Sequence, residues 1–124
     1  MSQITIIPIY MTNGDTGAYL QYPYMFNCSG EWVGFVTPKR EVYSVLGEYV
    51  GKLTDDPRIV RRRATSTLRP RLEPPQPPKR IAPPSTVPLP RMMSDLSHSL
   101  IDVLMDAPEL LHTLDSGDLR EDMD

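Results

Sequence analysis

The chain has 124 residues, 14 of them proline, a single cysteine and a net charge of −3. That length suits one domain, and one cysteine excludes an intrachain disulfide or a cysteine-built zinc site. No apolar run approaches the roughly 20 residues of a membrane-spanning helix. The small net charge hides a segregation. Residues 1–57 carry three basic and six acidic side chains, residues 58–93 carry nine basic ones against Glu73, and residues 94–124 carry nine acidic ones against Arg120. The basic stretch is expected to fold back on the acidic tail, within a Debye length of roughly 8 Å. The first basic residue is Lys39, so no charged leader of the secretory type is expected, and a reducing, cytoplasmic compartment is.

Residues 4–9 are β-branched apart from Pro8 and read as an edge strand. Asn13-Gly14 follows, a pair that suits a type I′ hairpin. Gly30 and Gly47 fall in equivalent places, because each of these three glycines follows an aromatic residue (Tyr10, Phe26, Tyr43) by four positions and precedes an acidic one. Met25–Cys28 is expected to pair with Trp32–Val36, and Val42–Val45 with Tyr49–Leu53. Asp55-Asp56-Pro57 reads as a further turn, since a residue before proline is pushed toward extended geometry. Ile59-Val60 opens a possible fourth unit that has no Gly-acidic pair; it is either incomplete or completed by the tail.

From Arg69 to Pro90, nine of 22 residues are proline, which excludes sheet and helix and predicts an extended polyproline II segment. Beyond it Leu96, Leu100, Val103 and Leu104 recur at helical spacing, with Ser94 placed to cap. The expected class is mainly β: a small antiparallel β-hairpin repeat domain (1–63), a Pro-rich basic linker (64–93), an amphipathic helical segment (94–114) and an acidic, disordered tail (115–124). Gly14, Gly30 and Gly47 are its structural turn residues.

The units Phe26–Gly34 and Tyr43–Gly51, each aromatic-x-x-x-Gly-Glu-aromatic-Val-Gly, together with Asp56-Pro57-Arg58-Ile59-Val60 and the Pro-rich stretch, resemble the four-fold β-flower domain family over roughly residues 4–90. The resemblance implies β-hairpin petals about a central pseudo-symmetry axis, and no activity. The chain departs from the pattern in its weak fourth unit. A MORN-type repeat also alternates Gly with Tyr, but its unit is longer and richer in glycine.

Catalytic chemistry finds little to work with. Nucleophilic catalysis needs Ser, Cys or Thr beside an oriented base, and Cys28 in the sheet part has no local link to His98 or His112 in the tail. Cys28 is expected to be a buried or half-buried structural residue. The two histidines, with Asp95, Asp102 and Asp115, match no metal-ligand spacing, so no catalytic residue, metal or cofactor is assigned. Asp55-Asp56 serves the turn. The aromatic series from Tyr10 to Tyr49 is expected to pack rather than to stack bases, since no Lys or Arg lies between residues 10 and 36.

One local motif points outward. Arg71-Leu72-Glu73-Pro74-Pro75-Gln76-Pro77 fits the basic-x-x-Pro-x-x-Pro form that SH3 domains read, and Pro75-Gln76-Pro77-Pro78-Lys79-Arg80 fits the reverse form. Candidate partner-binding residues are therefore Arg71, Pro74, Pro75, Pro77, Pro78 and Arg80, with packing of the segment on the protein's own aromatic sheet as the competing outcome. The expected function is a non-enzymatic structural or protein-interaction module, its partner another protein or a second copy of itself. The alternative is nucleic-acid association through the basic segment 58–91.

Overall fold

The structure, a computed structural model, describes residues 5–63 and 69–114. Eight strands run in chain order: β1 (Ile7–Tyr10), β2 (Thr16–Gln21), β3 (Tyr24–Phe26), β4 (Trp32–Val36), β5 (Glu41–Ser44), β6 (Tyr49–Leu53), β7 (Ile59–Arg62) and β8 (Leu100–Asp102). Each pairs antiparallel with the next, giving one curled, half-barrel sheet. The sheet divides into four hairpin petals, β1–β2, β3–β4, β5–β6 and β7–β8. The expected pairings of the second and third petals are present, and Pro8 lies on β1, the edge strand.

The first three petals close by the same turn. In residues 11–15, 27–31 and 44–48 the first amide donates to the fifth carbonyl, and the fourth amide to the first carbonyl. The fourth residue is Gly14, Gly30 or Gly47, at φ 95, 86 and 83. This is a three-residue loop in which a left-handed glycine creates a bulge. The register slips accordingly at Tyr10, Phe26 and Tyr43, the aromatic positions of the repeat. The type I′ turn expected at Asn13-Gly14 is not formed: such a turn needs positive φ at both residues, and only Gly14 has it. The connection 37–41 between petals repeats the same bonds with Arg40 in the left-handed position at φ 65. There the guanidinium donates to the carbonyls of Leu53 and Thr54.

The fourth petal is completed from the tail. β7 pairs with β8 in the register Val60↔Asp102 to Arg62↔Leu100, so the sheet continues past residue 63. The helix expected over 94–114 is replaced in its first half by β8. Val103–Asp106 forms one α-helical turn (α1), and Pro108–Leu110 a 3-10 turn. The open edge of β7 explains the substitution: its amides and carbonyls need a partner, and Leu100–Asp102 supplies it. Val103 and Leu111 then enter the main core beside Ile9, Met25, Val42, Val50 and Ile59. Fully burying one such side chain stabilises the fold by about 1.5–3 kcal/mol. No helix among the described residues is long and apolar enough to cross a membrane.

Polar side chains join the first petal to the last. Asp102, buried, accepts from both the amide and the hydroxyl of Thr12 at 2.7 Å through its Oδ2. Arg58, also buried, donates to the Thr12 hydroxyl at 3.1 Å and to Asp56 Oδ2 at 2.7 Å. Burial pushes the Asp56 carboxyl up, but the hydrogen bonds from Arg58 and Thr54 outweigh it and hold the group below its ordinary value. A carboxylate with a lowered folded pKa stabilises the fold above its unfolded value of about 3.9, and that contribution is lost as pH falls through the folded pKa. The melting temperature of the wild-type chain should therefore fall more steeply between pH 5 and 2 (on the order of that window) than that of Asp56→Asn. Parallel melting curves for the two proteins would remove Asp56 from the account.

Candidate functional site

Arg63 and Ser99 are neighbours, the amide of one bonding the carbonyl of the other at 2.7 Å. The Pro-rich segment is thus the turn of the fourth petal, greatly enlarged. From Arg69 to Ser97 it contains no helix or strand. Apart from Pro74, its half-buried residues recur every third position: Pro75, Pro78, Ile81, Pro84, Val87, Pro90, Met93 and Leu96. A period of three is that of a polyproline II helix, with one apolar ridge laid against the sheet.

The segment, here called the arm, passes the petal turns in reverse order. At the third petal the Leu72 amide donates to the Gly47 carbonyl at 3.0 Å. Arg71 places Nε and Nη2 on the Leu46 carbonyl at 3.1 and 2.6 Å. At the second petal the Ile81 amide donates to the Gly30 carbonyl at 3.0 Å, and Arg80 Nε and Nη2 reach the Ser29 carbonyl at 3.1 and 3.0 Å. The two stations are chemically the same and nine residues apart, three polyproline turns or about 28 Å. At the first petal Pro90 lies near Gly14, and the Tyr10 hydroxyl donates to the Pro88 carbonyl at 2.6 Å. The residues in the Arg and amide positions are there Leu89 and Pro90, which offer neither guanidinium nor N–H.

Side chains extend the contact. Ile81 packs on Phe26, Trp32 and Val45, a cluster separate from the main core. Trp32 and Val33 lie in different clusters because successive strand residues face opposite ways. Phe35, Tyr43 and Tyr49 form a cross-strand ladder with ring centroids 5.6 Å apart. Arg69 caps it, 4.1 Å above the Tyr49 ring and ion-paired with Glu41. Burial, with the nearby Glu41 charge, raises the Tyr43 phenol above its ordinary value. The aromatic series is therefore packed, Tyr22 excepted, which is exposed.

Five of the six candidate partner-binding residues accordingly lie against the chain itself. Arg71 and Arg80 hold petal carbonyls, and Pro74, Pro75 and Pro78 are half-buried. Pro77 is exposed and, with Pro78, Arg80 and Trp32, edges a cavity of about 270 Å³. The arginines of the basic stretch meet petal groups here: Arg61 donates to the carbonyls of Tyr49 and Val50, and Arg63 to that of His98. Of the acidic tail 94–124, expected to receive them, Asp102 and Asp106 line a cavity with Arg63, and residues 115–124 lie outside the described residues.

Cys28 is exposed, neither buried nor half-buried as expected, because it sits in the solvent-facing turn 27–31. It edges a cavity of about 310 Å³ with Leu104 and Leu111, whereas His98 lines another of about 250 Å³ with Arg63, Asp102 and Asp106. No cluster of three potential metal ligands occurs among the described residues.

These features define a small β-meander protein of repeated petals, girdled by a polyproline arm. Residues 7–99 match the family described as 4-fold beta flower protein, and the chain belongs to that family. No curated protein and no solved structure matches it.

Sequence reasoning missed the arm's register, although two signals for it exist. One is the nine-residue repeat Arg71-Leu72-x-Pro74-Pro75 and Arg80-Ile81-x-Pro83-Pro84; the other is the apolar residue at every third position from Leu72 to Leu96.

The stations make the three turn glycines unequal. A Cβ at Gly47 or Gly30 would stand 1.9 Å from the carbonyl oxygen of Leu72 or Ile81, whereas at Gly14 it would meet only a Pro90 ring carbon at 4.0 Å. Gly14→Ala should cost about 1–2 kcal/mol for its left-handed backbone. Gly30→Ala and Gly47→Ala should cost that plus about 1–3 kcal/mol for displaced arm backbone. Chemical denaturation of the three variants measures the difference; equal losses would mean the arm does not press on the rim.

Proposed function

We propose that this chain is a non-enzymatic structural and protein-interaction module whose working surface is the petal rim and the arm docked on it. The observation that carries this reading is the repeated station, in which Arg71-Leu72 and Arg80-Ile81 engage equivalent turns with equivalent bonds. Preformed polyproline segments with flanking arginines are a recurring means of protein recognition, because they lose little entropy on docking. Cys28 and His98 line different cavities, which supports a role without nucleophilic catalysis by that pair. The exposed thiol fits a reducing, cytoplasmic compartment.

The nucleic-acid reading has less support. Phosphate binding needs free cationic groups, and Arg58, Arg61, Arg63, Arg69, Arg71 and Arg80 are all held by groups of the chain itself.

Affinity capture with the full chain and with Arg71→Ala/Arg80→Ala, each with and without nuclease, tests the reading. A nuclease-resistant set of partner proteins is expected, its yield changing several-fold when the arm is loosened. Partners that vanish on nuclease treatment, or identical yields from both chains, contradict it.

A further inference from the structure

Resting on that reading, we infer that the rim is a binding site for a polyproline II segment of another protein, and that the chain's own arm is the resident competitor. The ligand class is a proline-rich peptide carrying Arg followed by Leu or Ile at nine-residue intervals.

The contacts in place do not need a covalent connection. Each station joins groups 25 or 51 positions apart through one amide, one guanidinium and an apolar ridge of period three. An unattached segment of the same code presents the same groups to the same carbonyls. Specificity follows from the parts. The left-handed glycines turn their carbonyls toward the arm and leave no Cβ in its way, which allows backbone contact. The Arg forks fix register and direction, as flanking charge does in other polyproline readers.

The resident arm is an imperfect ligand for its own rim. At the first petal it brings Leu89, 91% exposed, where the other stations have Arg, and Pro90 where they have an amide donor. Met92 beside them is also fully exposed. Gly30 and Gly47 are buried beneath the arm, while Gly14 is only half-buried. A foreign segment with Arg at this third position makes a contact the arm lacks, so displacement begins at the first petal and runs toward the third. The tethered arm competes at an effective concentration on the order of millimolar. Uptake therefore requires either a loosened arm or a ligand with all three stations.

The probe is a fluorescent synthetic peptide of residues 69–92 carrying Leu89→Arg and Pro90→Ile, titrated by polarisation into the full-length chain. Arg71→Ala/Arg80→Ala, with its own arm weakened, should bind the peptide roughly tenfold or more tighter than wild type. A control peptide with all its station arginines changed to Ala should lose roughly tenfold. In the wild-type background Leu89→Arg should raise the melting temperature and weaken peptide binding. Arg71→Lys/Arg80→Lys, which keeps charge but not the fork, replaces the alanine variant should that fail to fold.

The proposal is overturned if the peptide does not bind a chain whose Leu72 and Ile81 amides exchange freely, or if the control peptide binds equally well. It is overturned too if sedimentation shows the chain pairing with itself by exchanging arms, which would make a second copy the occupant. Peptide failure while nuclease-resistant partners are still captured would sink the rim site alone; loss of both would sink the interaction reading with it.

Discussion

The Arg63 amide and the Ser99 carbonyl are hydrogen-bonded although they lie 36 positions apart. Whatever chain connects them must leave the fourth petal and return to the same point. In the other petals three residues make that return around a left-handed glycine. Here the chain instead travels past the turns of the third, second and first petals before re-entering as β8. The sheet, the arm and the C-terminal turns are thereby one structure. β8 leads directly into Val103, and Val103 and Leu111 seal the core, so the excursion delivers residues that the sheet needs.

A stretch as long as 69–97 without helix or strand would ordinarily strand its backbone polar groups. Proline reduces the problem, because each one removes an N–H that would otherwise need a partner. A polyproline helix has no internal hydrogen bonds and leaves its backbone solvated, so an arm half-exposed along its length satisfies itself with water. Among the described residues two of its amides, those of Leu72 and Ile81, are directed at petal carbonyls, and both fall where a glycine admits close approach. The arginines beside them add charge-assisted bonds to neutral acceptors, which are stronger than neutral pairs. Docking therefore rests on discrete stations and a thin apolar ridge rather than on a broad core, which makes it specific in register and modest in strength.

The petals were legible because left-handed backbone strongly selects glycine: Gly14, Gly30 and Gly47 announce their turns by chemistry. Arg40 shows the limit of that rule, since a side chain bonded to two carbonyls holds the same conformation without glycine and leaves no sequence mark. Asn13 misled for a related reason, as a residue that tolerates positive φ need not adopt it. The fourth petal was unreadable locally because its second strand is three residues long and remote. Leu96, Leu100, Val103 and Leu104 mimic helical spacing, yet Leu96 ends the three-residue ridge, Leu100 begins a strand and only Val103 and Leu104 are helical. Density of proline was read as extended chain, and 69–97 holds no helix or strand, but it drew attention away from the apolar period within it. Of the candidate binding residues, the arginines and prolines were found from sequence; that their first partner is the chain itself depends on carbonyls, which no sequence motif displays.

Residue-resolved amide hydrogen exchange across 69–98 tests the central claim most directly. The docked arm requires that Leu72 and Ile81 be protected while Arg71, Arg80, Ala82 and Val87, in the same irregular stretch, exchange at rates near those of unstructured chain. Leu72 and Ile81 exchanging as fast as those neighbours would contradict the account, because no station could then be holding the arm to the rim.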